Sequence, residues 1–435
     1  MASNLRVSKN DIAWDLISDQ TNFLQEIEKN GFSIMSAKDI QKWGNYREPR
    51  LMTKLDFDIH RPKLFKQNDL NILPLKRGEY VVFKDPENIC YFKLPSVYED
   101  RRAKVFESEL DFSRLDTLST TLCSTESDAL DRAYLSGLIA DFCKVPKLTK
   151  TKSGRFGSSA FELQLPNCGK ILTVENSQLE VDGIYESSKS VVLVEAKIGF
   201  HPNFHIRQLY YPYTWLQTKT EKPIIPLLLC HSNGDFQLNQ FKLGSKFGDI
   251  ALEQQNYYVI NEYATVEGSL STVDRNLPSP QEDFDTPFPQ ADDLDKVVDV
   301  LRQCQKGIKD SQKLALIFGF DERQSGYYKN AAKYLGLLDS SFSPTELGKR
   351  LLTEKYKLNR TEIILKCMLV RPPLREAIAA LQAKNYDANA VELSSLMLII
   401  EKYRPKKFTE NTLRRRSNTL RNWLRWLVAN YEFRH

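Results

Sequence analysis

The chain has 435 residues, 41% hydrophobic and 27% charged, the make-up of a globular protein of roughly two to four domains rather than a disordered or fibrous one. Lys and Arg number 61 against 56 Asp and Glu, a net charge of +5 that is too mild on its own to assign a nucleic-acid partner. Seven scattered cysteines without a C-x-x-C pair speak against a disulfide framework or a structural zinc site and fit a reducing cytoplasm, while the absence of a signal-type N-terminus or a membrane-length apolar run predicts no membrane partner.

Residues 11–44 read as helical, with apolar spacing in WDLISDQTNFLQEIEKNGF and a second short helix at SAKDIQKWG. REPRLMTKLD (47–56) and extended segments around NILPLKRGEYVVF complete an N-terminal α+β module, 1–115. STESDALDRAYLSGLIADFCK (124–144) predicts one amphipathic helix, with Ser124 or Thr125 as its cap and acids in its first turns. Then come a hairpin in LEVDGIYESSKSVVLVEAK (179–197), a helix through NFHIRQLYYPYTWLQ (203–217), an apolar strand PIIPLLLC (223–230) and GDFQLNQFKL. That order predicts an α/β (α+β) unit over 116–275, a central mixed sheet flanked by helices. Residues 276–295, rich in proline and acid, predict a linker, and 296–435 is nearly all helix.

The hairpin carries charges among its apolar residues. A turn in SSKS (187–190) puts Asp182 opposite Glu195 and Glu180 opposite Lys197, with opposed Cβ atoms about 5 Å apart. Glu195 and Lys197, two apart, share a face. Opposed carboxylates repel unless a positive charge lies between them, and magnesium takes one or two carboxylates plus water and phosphate oxygens. Such a patch suits metal-assisted hydrolysis of a phosphate ester. The plainer reading, a surface hairpin with a salt bridge, fits poorly with VVLV beside Glu195, which predicts a buried strand. His201 and His205 lie four apart, but Pro202 between them predicts a loop and neutral surface histidines.

These residues resemble PD-(D/E)xK nucleases, Type II restriction endonucleases above all, over roughly residues 120–240. Asp182 matches the first motif acid, Glu195 the second and Lys197 the lysine; Val181 stands where the family name has proline. Many members add an acid from the helix before the sheet, which Glu126, or else Asp128, matches. QLYYPY (208–213) is similar to a helix motif beside the metal site, at another spacing, which adds Gln208 and Tyr211. REPRLMTKLD…NILPLKRGEY looks like the N-terminal module of a group of restriction endonucleases, with Arg47 and Arg50 as DNA-binding candidates. FDERQSGYYKNAAKYLGLLD…FSPTELG (320–348) looks like a winged-helix module of restriction–modification proteins. The resemblance implies a restriction-endonuclease-like sheet, a winged-helix C-terminal domain and Mg2+-dependent, sequence-specific cleavage of double-stranded DNA to 5′-phosphate ends. It further implies a homodimer, a prokaryotic cytoplasm, and a cognate DNA methyltransferase as genetic partner. Asp182 and Glu195 would hold the metal, with Glu180 or Glu126 as the further ligand.

Two basic segments point to DNA. From Asp321 to Leu337, Tyr328, Ala331, Ala332 and Leu335 make an apolar stripe, and the opposite face would carry Arg323, Gln324, Lys329, Asn330 and Lys333, types suited to base edges and phosphates. Between Lys402 and Arg425 the only acid is Glu410, so Arg414, Arg415, Arg416 and Arg421 are candidates for tracking phosphates. No GxxxxGK[ST] loop is present, which excludes a phosphate-loop motor. Two other functions stay open: a repair or junction nuclease of the same fold, and a DNA-binding regulator with an inactive core.

Overall fold

The computed structural model describes residues 8–95, 103–108, 110–112, 115, 118, 123, 125–260, 282–354, 357–404 and 408–431. The N-terminal part opens with α1 (Lys9–Gln20), α2 (Phe23–Asn30), β1 (Phe32–Ser36) and α3 (Ala37–Trp43). The helical reading of 11–44 is therefore corrected: Gly31, left-handed at φ 85°, ends α2 and turns the chain into a strand. After α4 (Pro49–Thr53) and α5 (Lys63–Gln67), β2 (Leu70–Lys76) and β3 (Glu79–Lys84) join β1 in an antiparallel sheet of order β1-β3-β2. Trp14, Ile17, Phe23, Phe65 and Val82 form its core.

Next come β4 (Tyr91–Lys93), β5 (Lys104–Phe106), α6 (Glu126–Leu135) and α7 (Leu138–Phe142). The single helix expected over 124–144 is broken at Gly137, φ 86°. Thr125 caps α6 by accepting the Asp128 N–H at 3.0 Å; Ser124 lies outside the described residues. The central sheet then takes β6 (Thr149–Gly157), β9 (Gln178–Glu186), β10 (Val191–Ile198), β12 (Ile224–Ser232), β13 (Asp235–Leu243) and β14 (Ile250–Ile260). Its seven strands run β5-β14-β13-β12-β10-β9-β6, a mixed sheet in which β10/β12 and β14/β5 are parallel. β7 (Phe161–Gln164) and β8 (Ile171–Val174) pair separately. The helix expected from 203 starts only at Arg207: β11 (Asn203–His205) pairs with β4, and α8 (Arg207–Gln217) follows.

Every residue of β10 is buried, because helices cover both faces of the sheet. Val192, Val194, Ala196 and Ile198 share a core with Ala129 and Leu130 of α6 and with the C-terminal helices. Val191 and Leu193 share another with Leu209 and Tyr210 of α8. By the two-residue pleat, Glu195 and Lys197 belong to the α8 side.

The C-terminal part comprises α9 (Leu294–Gln305), α10 (Ser311–Phe318), α11 (Glu322–Tyr334), α12 (Glu346–Thr353), α13 (Lys357–Leu369), α14 (Pro372–Ala383), α15 (Leu393–Tyr403) and α16 (Glu410–Asn430). The short turn between α10 and α11 begins at Gly319, φ 61°. Within the expected linker, 276–281 lie outside the described residues, while 282–293 form an irregular strap. Thr286, Phe288 and Ala291 are buried, Arg404 pairs with Glu282 at 2.6 Å, and Trp423 Nε1 donates to Ala291 O at 2.7 Å. Among the described residues no helix is long and apolar enough to cross a membrane.

The β12–β13 turn, Ser232-Asn233-Gly234-Asp235, plugs the sheet into this helical part. Asn233 and Gly234 both take positive φ, the conformation a tight Asn-Gly hairpin needs. Asn233 Nδ2 donates to Asp295 at 2.9 Å, Ser232 Oγ to Asp299 at 2.5 Å, and Arg360 to Asn233 Oδ1 and O at 3.1 and 3.0 Å. Lys357 pairs with Asp235. All of these residues are buried. Arg360→Ala leaves buried acceptors without donors and is expected to cost roughly 3 kcal/mol, read as a lower urea midpoint; an unchanged midpoint would remove the plug from the stability of the fold.

Candidate active site

β9 and β10 pair from Val191↔Glu186 to Val194↔Gly183, the register that continues to Asp182 opposite Glu195. Where the ladder ends, Asp182 Oδ2 accepts the Ala196 N–H at 2.8 Å. Lys197 Nζ donates to Glu195 Oε1 at 2.5 Å and to Ala196 O at 3.1 Å, and lies 3.7 Å from Glu126 Oε1. Gln208, in the first turn of α8, donates Nε2 to Glu195 Oε1 at 2.6 Å. Asp182, Glu195, Lys197, Glu126, Gln208 and Tyr211 thus line one small cleft of about 70 Å³. Tyr211 donates its hydroxyl to Pro74 O at 2.9 Å.

Charge in this cluster is unbalanced: three carboxylates surround one ammonium. Burial, with Asp182 and Glu126 nearby, pushes the Glu195 carboxyl up to about 8, although Lys197 pulls the other way. Burial works against the Lys197 ammonium, yet Glu195, Glu126 and Asp182 together hold it well above its ordinary range. Glu126 is raised by burial and by Asp182, against the pull of Lys197. An acid and a base that are both raised mark a site short of positive charge.

Glu180 lines the same cleft but is already engaged by cations. Its carboxylate takes Arg155 at 2.8 Å, Arg50 at 3.3 Å and Lys54 at 3.3 Å. Burial opposes its charge, but Arg155 and Lys54 hold it down to about 2. Between Glu180 and Glu126 the geometry leaves Glu126 beside the cluster. Among the described residues no three His, Cys, Asp or Glu form a metal-binding group; the candidate donors at the cleft are the two carboxylates Asp182 and Glu195. That pair matches what magnesium takes from a protein when water and phosphate supply the rest. Gln208 Oε1, buried and without a hydrogen-bond partner, is a further acceptor at the cleft.

Two cations at the rim, Arg155 and Arg207, are not among the candidates read from the sequence, while Arg50 and Lys54 come from REPRLMTKLD. Lys54 and Arg207 line the cleft and flank Asp56 at 3.5 and 3.6 Å, and Arg50 and Arg155 reach the cleft edge through Glu180. Arg207 directly precedes Gln208, and that adjacency was the one signal available in the sequence. His201 and His205 are buried, not on the surface; burial keeps both neutral, and His201 stacks on Phe57 at 4.3 Å.

On α11 the predicted apolar stripe is buried, while the polar face is smaller than expected. Arg323 is exposed, and Asn330 and Lys333 are half-buried. Lys329 is buried, donating to Lys309 O at 2.8 Å, because one helical turn brings it under the Lys309–Ser311 turn. Gln324 closes the capping box with Asp321. Tyr327, 37% exposed, lies between Arg323 and Asn330 on the open face. On α16, Arg414 and Arg415 are exposed. Arg416 is buried, donates to Phe288 O at 2.7 Å and covers the Phe408 ring, so it holds the strap; Arg421 bonds Val391 O at 3.2 Å. Arg47 is tied to Asn10 at 2.6 Å.

Three families match successive parts of the chain, each described as a domain of unknown function: DUF6996 over residues 11–82, DUF6997 over 88–259 and DUF7226 over 296–432. The cluster lies within the second. No curated protein and no solved structure matches the chain.

A carboxyl raised in the fold favours folding while protonated. Glu195 therefore contributes stability below its unfolded pKa near 4.5 that is lost as pH rises towards 8. Glu195→Gln is expected to stabilise the fold at pH 8 by on the order of a few kcal/mol, read as a higher thermal midpoint, and to change that midpoint little at pH 5. An equal shift at both pH values would place the strain elsewhere.

Proposed function

We propose that the chain is a Mg2+-dependent nuclease of the PD-(D/E)xK class, a Type II restriction endonuclease acting on double-stranded DNA. The observation that carries this reading is the meeting of Asp182, Glu195 and Lys197 at the end of one buried hairpin, with Gln208 bonded to Glu195. A mixed sheet with helices on both faces is compatible with that fold, and the α10–turn–α11 pair with a winged-helix reader.

Asp182 and Glu195 would hold the ion, which supplies charge for a phosphoryl oxygen and a more acidic water. Lys197, in contact with Glu195 and Glu126, presents an ammonium to the scissile phosphate and orients the attacking water. Glu126 stands where it can accept that water's proton. Gln208 fixes the Glu195 carboxylate, and Lys54, Arg50, Arg155 and Arg207 give the cleft mouth the charge to receive a phosphate backbone. Arg323, Tyr327 and Asn330 then offer base-edge contacts, and Arg414 and Arg415 backbone contacts.

Purified protein with magnesium is expected to cut phage DNA into discrete bands with 5′-phosphate ends. Lys197→Ala and Asp182→Ala should lose cutting by two orders of magnitude or more while binding DNA normally; a Lys197→Ala enzyme that cuts as well as wild type would sink the assignment. Magnesium should raise the thermal midpoint of the wild-type protein and leave that of Asp182→Ala unmoved.

The exposed arginines make a separate prediction. Replacing Arg414 and Arg415 by alanine should flatten the dependence of log Kd on log salt by about two units, near one for each phosphate that an arginine no longer neutralises. Arg416→Ala should lower stability instead. An unchanged slope in the double variant would move phosphate binding away from α16.

A further inference from the structure

A second cavity of about 490 Å³ adjoins the catalytic cleft and shares Lys54, Glu126 and Lys197 with it. Three parts of the chain wall it. Arg50, Leu51, Phe57 and His60 come from the N-terminal part, Ile198 from the end of β10, and Gln303, Lys306, Ile308, Leu316 and Ile317 from α9, α10 and the turn between them. Its volume is in the range of small-molecule sites, several times that of the cleft. Its walls are mixed: Leu51, Ile198, Ile308 and half-exposed Leu316 give apolar surface, with Phe57 buried against His201, while Asp56, His60 and Glu126 add polar groups. One polar group stands out: Gln303 is 4% exposed, lines the cavity, and makes no side-chain hydrogen bond among the described residues. That amide opens into the cavity, where water or a ligand can complete it.

We propose that this cavity receives one unstacked nucleobase of the DNA strand whose phosphate lies in the catalytic cleft. The inference rests on the nuclease reading for its phosphate end and on Gln303 and the apolar walls for its base end. A planar heterocycle has the two chemistries the cavity offers, apolar faces for Phe57, Ile198 and Leu316 and a donor–acceptor edge for the Gln303 amide. Continuity with the cleft through Lys54 and Lys197 fits a nucleotide, whose base and phosphate are covalently joined. Arg50 and Lys306 at the rim suit the flanking phosphates. Unstacking costs a few kcal/mol, least at a mismatch or a flexible step, so the pocket would add selectivity at a base pair that no major-groove contact reads.

The test uses the full-length chain in EDTA, with duplexes carrying 2-aminopurine at each position flanking the mapped cut. Emission is expected to rise several-fold at one position. Leu316→Trp, which fills the cavity from an exposed site, and Gln303→Met, which keeps shape but removes the amide, should each suppress the rise with thermal midpoint and DNA affinity preserved. Flat emission at every position on both strands overturns the proposal. Should the chain cut no DNA, the nuclease reading fails by itself, and the cavity is then read by calorimetry with the four 5′-deoxynucleoside monophosphates. Binding of any one of them that Leu316→Trp weakens tenfold supports the pocket; no binding by all four overturns it.

Discussion

A shortage of positive charge at the end of β10 is the constraint on which the rest of the site depends. Glu195 and Lys197 sit on a strand buried on both faces, where neither can turn to water. Asp182 and Glu126 add negative charge from the neighbouring strand and from α6. One ammonium cannot balance three carboxylates, so the folded protein either keeps a proton there or takes up a cation. The apolar residues around the cluster make that choice energetically sharp, since in a low-dielectric surround an uncompensated charge is expensive. Glu180, also on β9, shows the opposite solution: Arg50, Lys54 and Arg155 satisfy its charge.

Much of this arrangement was legible in the sequence because β-pleat arithmetic is rigid. The turn at 187–190 fixed the register, and register plus alternation brought Asp182, Glu195 and Lys197 together. Helix positions were harder to read. A helical wheel gives the side of Lys329 but not its neighbour, and the Lys309–Ser311 turn claims its ammonium. Arg416 looked like one more arginine in a basic run, yet α16 turns it onto the strap at Phe288. The breaks at Gly31 and Gly137 were visible only as glycines inside apolar periodicity, where periodicity outweighed them. The ion pairs of Glu180 were hidden for a different reason: its partners Arg50 and Lys54 come from more than a hundred residues away, and no local pattern announces them.

The strap and the hairpin plug explain why the helical part is not an independent appendage. Residues 282–293 look like a tether by composition, but Phe288 and Ala291 accept hydrogen bonds from Arg416 and Trp423 and are covered by the C-terminal helices. The plug at Asn233 fixes the other side through Asp295, Asp299 and Arg360. Proline and acid in a segment therefore predict loss of regular structure, not loss of packing. Here Phe284 and Asp285 are exposed while Thr286, Phe288 and Ala291 are buried, and Glu282 is taken up by Arg404.

Helix α9 ties these features into one mechanical unit. Asp295, Asp299 and Gln303 lie at four-residue intervals and so share one stripe of the helix. The first two hold the β12–β13 turn, and the third looks into the cavity beside Lys197. β12 is the parallel neighbour of β10, with His231 paired to Ile198 directly after Lys197. A displacement of α9 against the sheet would thus change the cavity wall and the support of β10 together. It could not change one alone, because the same rigid stripe carries both contacts. A base seated against Gln303 and a phosphate seated at Lys197 would therefore be coupled through packing rather than through a loop, and any reading event that moves the helical part has a short, stiff path to the cluster.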